Sequence, residues 1–214
     1  AVGSVSLFAA NPILAGGGLA HPRVGVNLLL AAAGGAILPG LYTWFTTGAA
    51  DSLVAARGCV AGVIAATAAA SLIPPWAALA LGGAAGLLVP LVTFVVRYVL
   101  RIDDPTGALP IGLPAGVLGI LAPGLVADGQ AGQGWNGIGV ESYLGVAGQG
   151  ITGFVSAPGL ASDWPGQLNA QLLGMAAIAA WTAAAVAILF LILKVLLVLW
   201  RFVPVPEEED DLEP

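Results

Sequence analysis

The few residues of this chain that could do chemistry are concentrated in one short block. Arg97, Arg101, Asp103 and Asp104 fall in the segment 97–105, which ends at a proline. Paired carboxylates beside arginines could bind a cation, or they could serve a helix end. Because Pro105 can start the next helix, we expect Asp104 to cap that helix or to pair locally rather than to bind an ion.

The other candidate reactive groups are isolated from one another. The chain has one histidine, His21, which lies in a turn, and one cysteine, Cys59, which lies in an apolar Gly/Ala stretch. A single cysteine excludes a disulfide within the chain, and we expect it to be a small packing residue. The ionisable groups cluster in turns and in a tail, and Lys194, near a helix end, can extend its amine to the membrane surface. The sequence therefore predicts no catalytic residues, no metal site and no enzyme, and it identifies no cofactor.

The composition sets the class of protein. Of the 214 residues, 58% are hydrophobic and only 8% are charged, and the mean hydropathy is +0.97. A soluble domain carries about 25% charged residues, so this chain needs lipid as its solvent. The acidic pI of 4.4 is misleading, because half of the acids form a tail that water can solvate: Glu207, Glu208, Glu209, Asp210, Asp211 and Glu213. Nothing in the pattern indicates nucleic-acid binding.

The elements that must position these residues are apolar segments near the length of about 20 residues that spans a bilayer. There are six of them: 2–19, 24–45, 53–73, 76–99, 108–126 and 168–200. The fold predicted is an all-α polytopic membrane bundle of about six helices, with small residues spaced for close helix packing. The predicted domains are a five-helix bundle (1–126), a Gly- and aromatic-rich extracytoplasmic loop (127–167), a long final helix (168–202) and an acidic cytoplasmic tail (203–214).

The basic residues predict the orientation. With six crossings, five of the six Lys and Arg residues fall on the side of the C-terminus and only Arg23 falls on the other side. This bias places both termini in the cytoplasm of a cell-membrane protein.

The loop 127–167 contains no Lys or Arg. Because long loops without structure are uncommon, we expect it to be ordered and to contact the membrane interface or a partner. Its aromatic residues are the predicted docking groups: Trp135, Tyr143, Phe154 and Trp164.

Several stretches, taken in order, resemble one known family. They read GCVAGVIAAT at 58–67, PWAAL at 75–79, LRIDDP at 100–105, GVLG at 116–119, QLLG at 171–174 and PEEE at 206–209, with Gly82, Gly86 and Trp181 between them. In this order and spacing they resemble the C-terminal half of the ammonium transporters of the Amt/Rh family. The resemblance implies the last six of eleven helices, arranged in that family as two inverted halves of five plus a long last helix, usually in a trimer.

The same resemblance implies where the pore would lie, and there the sequence departs from the family. Gly112 stands at the position of a pore histidine, Ala10 at that of a gating phenylalanine, and Leu14 at that of a hydroxyl of the cation recruitment site. Asn11, like Asn27, matches a family asparagine, and Phe8 remains close to the gate position, where we expect it to be a packed core aromatic. Gly, Ala and Leu side chains offer a cation neither aromatic faces nor hydrogen-bond acceptors.

Two hypotheses of function follow. In the first, the protein has lost conduction and serves as an accessory or structural subunit of a membrane protein complex, either a homo-trimer or a hetero-complex with other membrane chains. In the second, it conducts ammonium or ammonia, completed by a separate chain that carries the first half of the fold. The lost pore residues favour the first hypothesis, and a neighbouring gene for five helices with a histidine at mid-membrane would favour the second.

Overall fold

The computed structural model describes residues 22–130, 142–143, 146–147 and 149–200. Five helices account for most of them: α1 (Pro22–Thr47), α2 (Ser52–Thr67), α3 (Pro75–Phe94), α4 (Ala108–Val126) and α5 (Gly166–Trp200). A π-helix, Val95–Val99, continues α3, and the strands β1 (Ser142–Tyr143) and β2 (Val146–Ala147) form a short antiparallel pair. The predicted all-α class is confirmed. The segment 2–19 and the tail 203–214 lie outside the described residues.

The lengths of the helices match the thickness of a membrane. Within the described residues, four helices are long and apolar enough to cross a bilayer: Arg23–Thr47, Pro75–Val99, Ala108–Val126 and Gly166–Val198. The helix Ser52–Thr67 is apolar but shorter, and its 16 residues rise about 24 Å at 1.5 Å each. The expected membrane bundle is therefore present, while the expected count of six helices stays a prediction.

The short helix α2 ends earlier than the apolar pattern indicates. The pattern runs to Ile73, but the helix stops at Thr67 and the chain continues in turns. Two prolines, Pro74 and Pro75, keep the helix from continuing past Ile73, because a residue before proline is driven out of the helical region. Pro75 then begins α3, at the helix position where a missing N–H costs nothing. At its other end, α2 is capped by Asp51, which accepts hydrogen bonds from the amides of Leu53 and Val54.

Helices α1 to α4 pack as a bundle in which α1 contacts α2 and α3, and α4 contacts α2 and α3. The contacts of α1 centre on Ala31 and Gly35, one turn apart. A Cβ added to any of four glycines would collide with the carbonyl oxygen of Ala31 or Gly35, and these are Gly58 and Gly62 of α2 and Gly82 and Gly86 of α3. Backbone therefore touches backbone on both sides of α1, the arrangement that drives helix association in lipid.

The core of the bundle is built mostly from alanine and valine. Three clusters of buried side chains run through it, and only Leu28 and Ile73 among their buried members are larger than valine. The described residues up to 173 belong to one compact unit, and those from 174 onward belong to a second unit. The described part of that second unit is the remainder of α5, whose sequence from Ile188 onward is nearly all Leu, Ile and Val. A helix that is apolar on every face is typical of a membrane span.

The first prediction tests the close approach of the helices. Gly82→Ala should lower the thermal unfolding temperature in detergent, because its methyl group would collide with the carbonyl of Ala31, and overpacking costs about 1–3 kcal/mol. Gly25→Ala is the matched control, since an added Cβ at Gly25 meets nothing within 4 Å. Gly25→Ala should leave the unfolding temperature unchanged or raise it. Equal effects of the two substitutions would contradict the packing described above.

Candidate functional site

The first candidate site is the face of α4 that carries Gly112. This helix buries Ala115 and Gly119 on its packed side, where an added Cβ at Gly119 would come within 2.7 Å of the carbonyl oxygen of Ala65. Gly112 and Gly116 lie on another face, and an added Cβ at either meets nothing within 4 Å. Leu113, beside them, is 64% exposed. In the described part of the chain, Gly112 therefore has open space next to it that a larger side chain could occupy.

The remaining positions aligned with the pore are not brought together with Gly112 in the described residues. Phe8, Ala10, Asn11 and Leu14 all fall in the segment 1–21, outside the described residues. Of the pore positions, the structure thus describes Gly112 alone, and it presents backbone and no side chain there. The roles assigned to these five positions remain predictions.

Asn27, for which the family resemblance predicts an asparagine, is fully buried and ties α1 to the turns between α2 and α3. Its Nδ2 donates hydrogen bonds to the carbonyl oxygens of Ala70, at 2.8 Å, and Ile73, at 2.7 Å. These carbonyls lie in the turns after α2, where no further helical turn supplies them with N–H donors. Unpaired carbonyls are costly in a membrane, so Asn27 compensates for the early end of α2. Its Oδ1 has no hydrogen-bond partner among the described residues.

An ion pair closes the same end of the bundle. Arg23, at the start of α1, pairs with Asp128, just after α4, and its Nε also donates to the carbonyl oxygen of Ile73 at 3.1 Å. The carboxylate of Asp128 accepts a further hydrogen bond from the amide of Gln130 at 3.1 Å, and its own amide donates to Leu72 at 3.0 Å. Both side chains are mostly buried, with 20% and 9% of their surfaces exposed. Arg23 and Asp128 thus join the start of α1 and the end of α4 to the connection between α2 and α3.

Sequence reasoning missed this ion pair, although a signal was present. Arg23 is the only basic residue on its predicted side of the membrane, and Asp128 is the first acidic residue after Asp104. Charges that are rare and lie at the ends of apolar segments are expected to find each other, because an unpaired charge at that depth is costly. The helix count placed both residues at the same end, so the pairing could have been proposed.

The segment that follows Asp128 returns to pack on the end of α4. The amide of Gly153 donates to Ala127 at 2.9 Å, and that of Phe154 donates to Gly124 at 3.1 Å. The side-chain amide of Gln149 makes two hydrogen bonds with the backbone of Ala161, at 2.7 and 2.8 Å. The expected order of this loop is therefore present in its described residues 149–165.

Two of the four predicted docking aromatics lie together in this loop. The rings of Phe154 and Trp164 meet edge to face with their centroids 5.1 Å apart, and both remain exposed, at 61% and 44%. Tyr143 lies in β1, and Trp135 falls outside the described residues. An exposed aromatic pair of this kind suits a membrane interface or a protein partner.

At the opposite end of the bundle, Asp104 acts as predicted, as a local cap. Its carboxylate accepts hydrogen bonds from the amide of Leu109 at 2.9 Å, from the hydroxyl of Thr106 at 2.9 Å, and from the amides of Ala108, at 3.2 Å, and Gly107, at 2.9 Å. The hydrogen bond from Leu109 is the largest of the effects that hold the pKa of Asp104 below its usual value. Its charge is therefore retained at neutral pH and is engaged by the start of α4. In the described residues, no three metal-ligating side chains form a cluster.

The comparisons with known proteins all point to the same family. The model of the Ammonium Transporter Family matches residues 6–213. Ammonium transporter Amt2 of Archaeoglobus fulgidus is 34% identical over 108 residues, which are 50% of this chain and 22% of that protein. Amt2 of Haloferax mediterranei is 39% identical over 99 residues, or 46% of this chain and 22% of that protein.

Solved structures show the same fold. Mep2 of Saccharomyces cerevisiae superimposes with a TM-score of 0.67 at 22% identity, covering 91% of this chain and 43% of that protein. The delta442 mutant of Mep2 from Candida albicans superimposes with a TM-score of 0.61 at 26% identity, covering 79% of this chain and 38% of that protein. The chain thus spans less than half the length of the relatives that it matches.

The second prediction concerns the ion pair of Arg23 with Asp128, which joins α1 to α4. Arg23→Gln or Asp128→Asn alone should destabilise the protein by about 3 kcal/mol, because each leaves a mostly buried charge without its partner. The double substitution should cost less than the sum of the two single changes, since it removes both charges. The measurement is thermal or denaturant unfolding in detergent, analysed as a double-mutant cycle. Strictly additive effects would show that the pair contributes no coupling.

Proposed function

The chain belongs to the ammonium transporter family, and from this premise we propose that it has lost ammonium conduction and serves as an accessory or structural subunit of a membrane protein complex. Family membership and the apolar helices make it a multi-pass membrane protein in contact with lipid. The relatives are named as transporters and not as enzymes, which agrees with the expectation that this chain is not an enzyme.

The observation that carries the proposal is the glycine at position 112. The pore histidine of the family would supply an imidazole that accepts or relays a proton, and a glycine supplies nothing in its place. In the described part of the chain, an added Cβ at Gly112 meets no atom within 4 Å, so the space that the histidine would occupy is left open there. Ala10 and Leu14 at the aligned entrance positions support the same conclusion. Leaving a small cation unsolvated at mid-membrane costs several kcal/mol or more.

The exposed aromatic pair supports a role in assembly. Phe154 and Trp164 sit in a loop held to the end of α4 by backbone hydrogen bonds, so they form a surface that is ordered before any partner arrives. Aromatic side chains on such a surface are common anchors of protein interfaces. We assign this loop, together with Tyr143 and Trp135, to contacts with other membrane chains, in a homo-trimer as in the family or in a hetero-complex.

A working ammonium conductor is the second candidate, and family membership itself favours it. The open face at Gly112 and Gly116 could then border a pathway completed by side chains of another chain. The two candidates differ in what the purified chain does alone. Copurification in mild detergent, followed by identification of the associated chains, would reveal the partner that either candidate needs.

The third prediction tests conduction. The 214-residue chain, reconstituted alone in liposomes, should give no ammonium-dependent current or lumenal alkalinisation above that of empty vesicles. The physical reason is that its path lacks both an imidazole and an aromatic stack to replace hydration. A saturable ammonium flux from the purified chain would overturn the accessory role and favour the transporter. Solid-supported membrane electrophysiology and an internal pH dye provide the two readouts.

Two variants make this test sharper. Gly112→His should fold as well as the parent chain, because an added Cβ at Gly112 meets nothing within 4 Å. Gly119→His on the same helix should unfold at a lower temperature, because Gly119 lies against Ala65. Gly112→His alone should still give no flux, since the entrance positions remain apolar. Flux restored by this single change would mean that only the histidine had been lost.

The fourth prediction tests the orientation, in which both termini and the loop 48–51 face the cytoplasm and the loop 127–167 faces the other side. A cysteine at Gly132→Cys should react with an impermeant maleimide from outside intact cells, and one at Glu213→Cys should react only after the membrane is opened. Cys59→Ala provides the background for both. Labelling of both positions from the same side would show that the topology is wrong.

A further inference from the structure

A cavity of about 450 Å³ lies where α2, the π-helix and the start of α4 meet. Three arginines line it, Arg57, Arg97 and Arg101, together with Asp103 and Asp104. In the described residues, no ion pair involves any of these three arginines. So many unpaired guanidinium groups around one cavity are unusual in a chain with only six Lys and Arg residues in total. The cavity is not part of the pore face or of the aromatic loop.

The backbone around this cavity is shaped to admit Arg57. Its guanidinium lies against Gly107, where an added Cβ would come within 3.1 Å of both Cζ and Nε. Gly107 also has a φ of +72°, which favours glycine. Arg57 itself is only partly exposed, although it belongs to the first turns of a membrane helix. The guanidinium is therefore held at a defined place and does not extend freely into water.

Arg101 is presented to the cavity by a strained backbone. It has a φ of 55°, and it is the one described residue other than glycine with a positive φ. It follows the π-helix Val95–Val99, and the amide of Ile102 closes that helix end by donating to Val96 at 3.0 Å. A glycine or an asparagine would adopt this conformation at lower cost. Backbone strain at a residue that lines a cavity, next to a π-helix, is typical of functional positions.

The acidic residues leave the cavity with a net positive charge. The carboxylate of Asp104 is engaged by the amides at the start of α4 and by Thr106. Asp103, which is exposed, offsets one of the three arginines. The lining thus favours an anion, and Arg side chains offer the planar donor geometry that phosphate oxygens accept.

We propose that Arg57, Arg97 and Arg101 form a binding site for a phosphate group at the membrane surface. Val96, Ile102 and Pro110 also line the cavity, which lies at the end of a helix that is long enough to cross a bilayer. Basic pockets between membrane helices bind the head groups of anionic lipids, so an anionic phospholipid is one source of the phosphate. Free inorganic phosphate is the other source. Binding of a phosphate group from either source does not depend on whether the protein conducts ammonium.

The test uses the full chain in an uncharged detergent and native mass spectrometry. Dioctanoyl phosphatidylglycerol, dioctanoyl phosphatidylcholine and inorganic phosphate are titrated separately. Phosphatidylglycerol should bind more tightly than the zwitterionic phosphatidylcholine. Arg57→Gln and Arg97→Gln should each weaken its binding about fivefold, the effect of one basic residue near a membrane surface. Asp103→Asn should strengthen it, because this substitution removes the opposing charge.

The variant Arg101→Gly distinguishes a role of Arg101 in lipid binding from a role in folding. It should raise the thermal unfolding temperature, because glycine relieves the strain at a φ of 55°, and it should weaken phosphatidylglycerol binding as the other two arginine variants do. A purely structural Arg101 would not show these opposite changes. Lys194→Gln is the matched control, since it removes one positive charge from a different membrane helix and should leave the binding unchanged.

The outcomes are distinct. Equal binding of the two lipids, arginine variants that bind like the parent chain, or a loss in Lys194→Gln as large as in the arginine variants would overturn the proposal. Competition between inorganic phosphate and phosphatidylglycerol, lost in Arg57→Gln, would support a site for the phosphate group from either source. Arginine-dependent lipid binding that inorganic phosphate does not displace would support the site as one for phospholipid head groups.

Discussion

The close contact between backbones at Ala31 and Gly35 is the constraint on which the rest of the structure depends. Glycines of α2 and α3 approach these two carbonyls so closely that no side chain fits between them. Because lipid gives helices little hydrophobic reason to associate, dispersion at this contact area must hold the bundle together. The core can then be small, and alanine and valine fill most of it. Once α1 is fixed between its neighbours, its two ends are fixed as well.

Each end of the bundle uses polar groups for a different purpose. At one end, Arg23 pairs with Asp128, and Arg23 and Asn27 both donate to the carbonyls exposed where α2 stops early. This end is closed, because charges and donors there are matched. At the other end, Asp104 is engaged by helix amides while the arginines nearby have no described acidic partner. The same scarcity of charge thus accompanies an ion pair at one end and an arginine-lined cavity at the other.

The sequence allowed the class, the helix positions and the cap at Asp104 to be predicted, because hydropathy and proline act locally. It placed the end of α2 six residues too late, since the alanines at 68–70 look helical in the sequence although they lie in turns. The ion pair of Arg23 with Asp128 joins residues far apart in the chain, so the sequence places both residues at one end of the bundle without showing that they touch. The strain at Arg101 has no sequence signature at all, because arginine is common at helix ends for other reasons.

The side chain of Gln149 has a consequence of a different kind. Its amide bonds to both the N–H and the carbonyl of Ala161, as a neighbouring strand would do, and Thr152 adds its hydroxyl to the same carbonyl at 2.9 Å. One uncharged side chain thus substitutes for a missing piece of β-sheet. An amide neither titrates nor attracts counterions, so this closure is insensitive to acidity and to salt. The segment 149–161 that it closes therefore stays folded in environments that would loosen the ion pair of Arg23 with Asp128.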